Sequence, residues 1–252
     1  MSKPFILLTN DDGYESEGLA CLVQAVSSFA TVAVVAPEVD MSAVSQRLTI
    51  RDPLRVKQRA DLRWSVNGTP TDCVYLALAE LLPQQPDLVV SGINHGPNLA
   101  DDVMYSGTVA AAREAAATGV SALAVSQLSG TSWNFGPAAE LAKQIIQLML
   151  ENWSGRRLLL NLNVPHTDGQ GVMTVRWAPT GRRDYGRRVV KRADPVGRPY
   201  YWLGGNDFGH HSQPGSDCDV VAAGVATLTP LAMDFTDHGF LNQVCADEGD
   251  LL

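Results

Sequence analysis

A short apolar run that ends in a pair of acids constrains this chain more than any other feature. Phe5-Ile6-Leu7-Leu8 reads as a strand buried on both faces. After Thr9 the chain passes through Asn10-Asp11-Asp12-Gly13 into the helical spacing of Leu19, Leu22, Val23 and Val26. A strand that hands over directly to a helix leaves its last residues at the carboxyl edge of a sheet, where open α/β folds keep their sites. Adjacent carboxylates there repel each other and lose hydration, which is unfavourable unless they share a cation. Gly13 suits a turn that needs positive φ or close backbone approach. The competing reading is a polar turn in which Asp11 or Asp12 only N-caps the helix. The rest of the chain favours the site.

The same alternation continues. A helix over about 16–28 leads to a strand at 31–36, which ends in Pro37-Glu38-Val39-Asp40-Met41-Ser42, so both loops open on one edge of a βαβ unit. Residues 48–66 alternate around Pro53 and predict a small antiparallel excursion that includes 48–50, 54–57 and 62–66. Thr69-Pro70 marks a helix start. A third strand at 87–92 delivers Ile93-Asn94-His95-Gly96-Pro97-Asn98, and Ser106-Gly107-Thr108 opens an alanine-rich helix at 109–118. A strand at 120–126, a helix at 136–152 and a strand at 158–164 closed by Pro165 follow. The expectation is an α/β, Rossmann-like, mostly parallel sheet sandwiched by helices over 1–165. Glycine, proline and basic residues dominate thereafter, so 166–252 reads as a C-terminal extension of β-hairpins and arms, with one strand at 220–228 and a short polar tail.

Composition narrows the class. With 252 residues, 45% of them hydrophobic, the chain can bury a sizeable core, and its formal charge of −8 argues against a nucleic-acid polymer as partner. Cys21, Cys73, Cys218 and Cys245 are scattered, which predicts neither a disulfide framework nor a zinc site. Met1-Ser2-Lys3 runs straight into the first strand and no apolar run spans a bilayer. A cytoplasmic protein without membrane contact is expected.

Asp11, Asp12, Ser42 and Asn94 lie in three loops on one edge and form a hard, all-oxygen set suited to Mg²⁺ or Mn²⁺. Taken singly, Ser42 reads as a loop hydrogen-bonder and Asn94 as a turn residue; together they gain weight as ligands. Ser106-Gly107-Thr108 offers hydroxyls and free N–H groups to a phosphate, or serves as an ordinary N-cap. His95 either contacts substrate or is packed, and His210-His211 either binds metal or is exposed. P-loop, G-x-G-x-x-G and G-x-S-x-G patterns are absent, and adjacent Asp-Asp differs from the D-x-D of haloacid-dehalogenase-type phosphatases.

In order, T-N-D-D-G-Y-x-S-x-G, A-P-x-x-x-x-S, N-G-T-P-x-D-C-V, V-S-G-I-N-x-G-P-N and Y-S-G-T-V-A-A-A-R-E cover 9–114, with N-x-N-V-P at 161–165 and T-P-L at 229–231. Together these blocks resemble the SurE family of survival-protein nucleotidases. The resemblance implies a phosphomonoesterase that hydrolyses nucleoside 5′- or 3′-monophosphates, with polyphosphate a further candidate substrate. It also implies one divalent ion, Mg²⁺ or Mn²⁺, per subunit, and an oligomer built by the C-terminal region, a homodimer or homotetramer. Its metal ligands fall on Asp11, Asp12, Ser42 and Asn94, and the phosphate contacts are assigned to Asn98, Ser106, Gly107 and Thr108. Met41-Ser42-Ala43 departs from the usual R-S-G or R-S-A, removing a positive charge beside the site.

The expected chemistry is in-line attack by water on phosphate, with Asp11 or Asp12 as the catalytic proton acceptor; an aspartyl-phosphate route through Asp11 is also compatible with the residues. The rival is a nucleotide- or phosphate-binding regulatory module without turnover, and a purely structural oligomer comes third. Residues 199–252 are expected to build the oligomer, with Asp234 and His238 pairing to set the angle of the tail. Eight cations over 176–198, Arg187 and Arg188 among them, face only Asp184 and Asp194, and would either steer anionic substrate or form a solvated loop.

Overall fold

The computed structural model describes residues 3–130, 132–167, 174–185, 189–203 and 209–247. The apolar run at the amino end becomes β1 (Phe5–Thr9), buried along its whole length, and the spacing after it becomes α1 (Glu17–Ser27), capped by Ser16. β2 (Thr31–Pro37), β3 (Val56–Ala60) and β4 (Arg63–Val66) follow. Thr69 and Asp72 form a capping box that starts α2 (Pro70–Leu76), which runs on into a π-helical turn over Ala77–Leu81. Strict alternation continues with β5 (Leu88–His95), a 3-10 segment (Ala100–Met104), α3 (Gly107–Ala117), β6 (Ala122–Gln127), α4 (Gly136–Asn152) and β7 (Leu159–Val164). The chain then forms β8 (Val175–Trp177), β9 (Arg182–Asp184), β10 (Val189–Ala193), β11 (Pro199–Leu203) and β12 (Gly209–His211). It ends with α5 (Asp217–Ala222), β13 (Ala226–Pro230) and α6 (His238–Asp247).

One nine-stranded sheet carries the order β3-β4-β2-β1-β5-β6-β7-β13-β8. From β4 to β7 every neighbouring pair is parallel, which makes this a mostly parallel α/β sandwich. β1 leads to β2 on one side and pairs with β5 on the other, with Leu8 opposite both Val34 and Val90. The strand order reverses here, and the crevice beyond the carboxyl ends of β1 and β5 is where such sheets bind ligands. Two apolar layers flank the sheet: α1 and α4 pack Leu19, Leu22, Val26, Ile145 and Ile146 on one face, while α2 and α3 pack Cys73, Val74, Val109, Ala112 and Ala115 on the other. The alanines of α3 let that helix lie close to the strands.

Four local expectations are revised. Residues 48–50 are in no strand, and Ile50 is 84% exposed, since Pro53 denies the segment a regular ladder. β5 runs past 92 to His95 through a register irregularity between Ser91 and Asn94, so Asn94 and His95 are strand-end residues. The strand expected at 220–228 divides into α5 and β13. Ser216 caps α5 by accepting from Asp219 N, and Gly224 turns the chain at φ 79°. β13 then enters the central sheet antiparallel to β7 and parallel to β8, so the extension after 165 supplies a strand to the core. The polar tail contains α6. Among the described residues no helix is long and apolar enough to cross a membrane.

Close approach of α1 to β5 depends on Gly18, where a Cβ would collide with the carbonyl oxygen of Ile93. Gly18→Ala is therefore expected to lower stability by roughly 1–3 kcal/mol, as overpacked cores do. Thermal melting checks this; an unshifted melt would show that the helix has room to spare.

Candidate active site

The loop after β1 is tied down before it offers any chemistry. Asn10 donates from Nδ2 to the Gly13 carbonyl (2.9 Å) and to Ser16 Oγ (2.7 Å), joining the strand end to the cap of α1. Tyr14 N–H donates to the Pro37 carbonyl (2.7 Å) and Met41 N–H to the Asp11 carbonyl (2.8 Å), which holds the loop after β2 alongside. Asn10 Oδ1 and Thr9 Oγ1 are buried without a hydrogen-bond partner, so acceptors are left over at this strand end.

Asp11 is 4% exposed and accepts on Oδ1 from Thr108 Oγ1 (2.5 Å) in the first turn of α3. That helix abuts it: a Cβ on Gly107 would fall 2.8 Å from Asp11 Cβ, so glycine is what fits. Burial pushes the Asp11 carboxyl up to about 6, against the opposing Thr108 hydrogen bond and with help from the Asp12 charge. Asp12 is also raised, first by burial; His95 acts against the rise and Asp40 adds to it. Asp12 Oδ2 accepts from His95 N–H (3.3 Å) and lies 3.2 Å from His95 Nδ1.

Ser42 is exposed and donates from Oγ to Asp40 Oδ1 (2.6 Å), which its own N–H also reaches (2.8 Å). Asn94 donates from Nδ2 to the Gly96 carbonyl (2.8 Å), leaving its carbonyl oxygen as the ligand-type atom. Direct contact thus joins Asp11, Asp12, Gly107, Thr108 and His95. Ser42 is linked to them through the Met41–Asp11 backbone bond, and Asn94 through its neighbour His95. Among the described residues no group of three or more His, Cys, Asp or Glu is arranged to hold a metal. Any cation here would rest on the acidic pair and neutral oxygens, a donor set that fits Mg²⁺ or Mn²⁺ and their retained waters.

Ser106 caps α3 by accepting from Val109 N–H (3.0 Å), and its hydroxyl hydrogen is free to donate. Asn98 is engaged elsewhere: its N–H and Nδ2 donate to Asn163 Oδ1 (2.8 Å) and Ser126 Oγ (2.7 Å), and its carbonyl accepts from Asn161 and Asn163. His95 packs edge-on against Trp133 and Phe135 and faces Asp12, so the packed reading of it holds. His210 pairs with Asp219 (2.8 Å) on the surface and, among the described residues, joins no metal group. In the basic segment, Arg183 is held by Asp102 (2.8 Å) and Arg198 by Asp194 (2.8 Å). Arg187 and Arg188 lie outside the described residues.

Sequence reasoning missed Asp40 and the aromatic pair Trp133 and Phe135. Asp40 was marked by its place two residues before Ser42, the spacing of a side-chain-to-backbone turn. The aromatics follow β6 and open on the same sheet edge.

Fold and site together define an α/β protein with an acidic pair and a helix N-terminus at the switch point of a parallel sheet. The family model for survival protein SurE matches residues 6–187, so the chain belongs to the SurE family. The 5′-nucleotidase SurE of Myxococcus xanthus is 47% identical over 239 residues, covering 94% of this chain and 90% of that protein. The 5′-nucleotidase SurE of Vibrio cholerae serotype O1 (strain N16961) is 42% identical over 240 residues, covering 95% of each. The crystal structure of the SurE protein from Aquifex aeolicus aligns with a TM-score of 0.85 at 36% identity, over 96% of this chain and 99% of that one.

The raised value of Asp11 carries a consequence for stability. Well below pH 3.8 both folded and unfolded chains hold this group protonated, and it costs nothing. The cost of ionising it in the folded state grows between the ordinary 3.8 and about 6 and is complete above that. The metal-free Asp11→Asn variant is expected to be more stable than the wild type at about pH 8, by up to about 3 kcal/mol. The gap should close as the pH falls through and below 3.8. Chemical denaturation in chelator across this range reads it, and a gap independent of pH would remove the buried ionised carboxylate as its cause.

Proposed function

We propose that the chain is a divalent-metal-dependent phosphomonoesterase that releases phosphate from nucleoside 5′-monophosphates, with 3′-monophosphates and polyphosphate as secondary substrates. The observation that carries this reading is the contact of Asp11, one of the acidic pair, with the start of α3. A helix N-terminus favours any nearby anion, carboxylate or phosphate, but the two anions repel each other, so phosphate joins the carboxylates there only if a cation offsets that repulsion. The names of the relatives, 5′-nucleotidase SurE, support the substrate class.

In this proposal Asp11, Asp12, Ser42 and Asn94 hold one Mg²⁺ or Mn²⁺ per subunit. That ion would neutralise phosphate charge and make a water more acidic. The Gly107 N–H and the Ser106 hydroxyl receive the phosphate, Thr108 flanks it while its N–H and hydroxyl hold the Asp11 carboxylate, and Asn98 fixes the loop that leads to them. Thr108 already occupies Asp11 Oδ1, so Asp12, which is less buried, takes the proton of the attacking water. As water attacks in line, the P–O ester bond breaks and its oxygen leaves with the nucleoside, taking up a proton from solvent to become a hydroxyl. A cytoplasmic setting is part of the proposal, since all four cysteines are free thiols, their ordinary state in a reducing compartment.

Phosphate release from several nucleoside monophosphates, with Mn²⁺ and after chelation, tests the activity. Asp12→Asn is expected to weaken Mn²⁺ binding and to lower kcat roughly 10²–10⁴-fold, with saturating metal restoring only the part due to binding. Near-normal turnover with unchanged metal affinity would sink the proposal. Nucleotide binding without any phosphate release in the wild type would leave the regulatory module instead.

We also propose that the C-terminal region joins copies of the chain into a homodimer or homotetramer. β10 and β11 form a separate two-stranded ribbon whose residues are all exposed, Trp202 at 64% and Leu203 at 85%. Such a ribbon is at best marginally stable in water without a partner surface. Phe235, Phe240 and Leu241 add exposed apolar area near α6, whose first residue His238 pairs with Asp234 (2.6 Å). Truncation must spare β13 and Met233, which packs on the core. A chain ending at Met233 is expected to show a lower mass by light scattering than the full chain, while keeping its melt; an unchanged mass would remove the tail from the interface.

A further inference from the structure

The connection from β6 to α4 carries aromatic residues that neither the acidic pair nor the helix N-terminus needs. Trp133 and Phe135 stack with ring centroids 5.4 Å apart and planes 3° from parallel. His95 meets both edge-on, at 5.0 Å from Trp133 and 4.6 Å from Phe135. Phe135 is 1% exposed and acts as a fixed floor, whereas Trp133 keeps 37% of its surface in contact with solvent. One face of the indole is therefore backed by Phe135, and the ring keeps part of its surface open. The imidazole that edges this stack also lies 3.2 Å from Asp12 through Nδ1. The His95 ring thus touches both Trp133 and the acidic pair.

We propose that Trp133, backed by Phe135 and edged by His95, receives the nucleobase of a nucleoside monophosphate whose phosphate lies at Asp11, Asp12 and the start of α3. This rests on the nucleotidase reading and names the residue that makes a nucleotide a better substrate than a bare sugar phosphate. Phosphate and base are joined by one ribose, and the site offers the same succession: helix N-terminus and carboxylates, then the His95 ring, then the indole. Stacking uses the π-face that every base possesses, so this subsite accepts all bases and favours the larger purines through contact area. Packing alone gives no reason for tryptophan here, because Phe135 already fills the buried position.

The test compares wild type, Trp133→Phe and Trp133→Ala on AMP and on ribose 5-phosphate, the same phosphate and sugar without a base. Calorimetric binding of AMP is measured alongside. The preference for AMP over ribose 5-phosphate in kcat/KM is expected to fall roughly 5- to 100-fold in Trp133→Ala, mainly through KM, and AMP affinity to fall with it. Trp133→Phe, which keeps a ring on Phe135 and His95, should retain most of the preference. Equal losses on both substrates would mean that Trp133 only steadies His95, and would overturn the proposal; so would an unaltered preference. If the wild type hydrolyses neither compound, the nucleotidase reading fails. The calorimetric comparison then still decides the subsite, since AMP affinity untouched by Trp133→Ala would overturn it.

Discussion

A carboxylate buried where a strand ends and a helix begins is the constraint around which this molecule is arranged. Asp11 sits against the first turn of α3 with 4% exposure, and burial outweighs the Thr108 hydrogen bond enough to raise its pKa to about 6. Left to itself, such a group would swing into solvent. Three neighbours prevent that: Asn10 closes the loop onto Ser16, Met41 holds the Asp11 carbonyl, and Gly107 lets α3 come close enough for Thr108 to reach. Each spends a local interaction on keeping an unfavourable charge where it is, a pattern expected at functional sites more than in cores.

The carboxyl-terminal region reinforces the same edge. Asp217 is fully buried, yet its oxygens accept from the backbone N–H groups of Ala100 (2.8 Å), Gly181 (2.7 Å) and Cys218 (2.8 Å). Asp102 accepts from Arg183 (2.8 Å) and from the Tyr185 hydroxyl (2.7 Å). The 3-10 segment that leads into Ser106 is thereby gripped from α5 on one side and β9 on the other. Part of the basic segment is consumed in this way: Arg183 neutralises a structural aspartate, which leaves it less charge to attract substrate.

How much of this was legible follows from which interactions are local. The βαβ alternation, the cap at Thr69 and the acidic pair are written in neighbouring residues, and all were readable; the capping alternative for α1 fell on Asp11 or Asp12, whereas Ser16 is the cap. Val220-Val221-Ala222-Ala223 reads as strand by propensity; what makes α5 of part of it is the Ser216 cap, with Asp217 anchored to Ala100 and Gly181 far away in the chain. The place of β13 between β7 and β8 is set by pairing over long separations, which periodicity cannot report. At the site, Ser42 was legible as a polar loop residue but its hydrogen bond to Asp40 was not. Asn98 illustrates the converse, because a polar residue in a site loop is bonded to Ser126 and Asn163.

Magnitudes decide whether α3 alone is enough to hold a phosphate here. Its N-terminus contributes about 0.3–2 kcal/mol toward a nearby anion. A unit charge about 4 Å from another interacts by about 4 kcal/mol at an effective dielectric constant near 20, so a phosphate dianion beside one ionised carboxylate meets roughly twice that. Asp12 adds a second such charge. With the Asp11 value at about 6, protonation relieves little of this near neutral pH. The deficit of several kcal/mol exceeds what the helix and one or two hydroxyls return, since a hydrogen bond to a charged group is worth about 1.5–3 kcal/mol. A divalent cation reverses the sign of the balance, because it attracts carboxylates and phosphate alike. The metal-dependent reading therefore rests on the sign of the electrostatics at Asp11 and Asp12 as well as on the kinds of atoms that line the crevice.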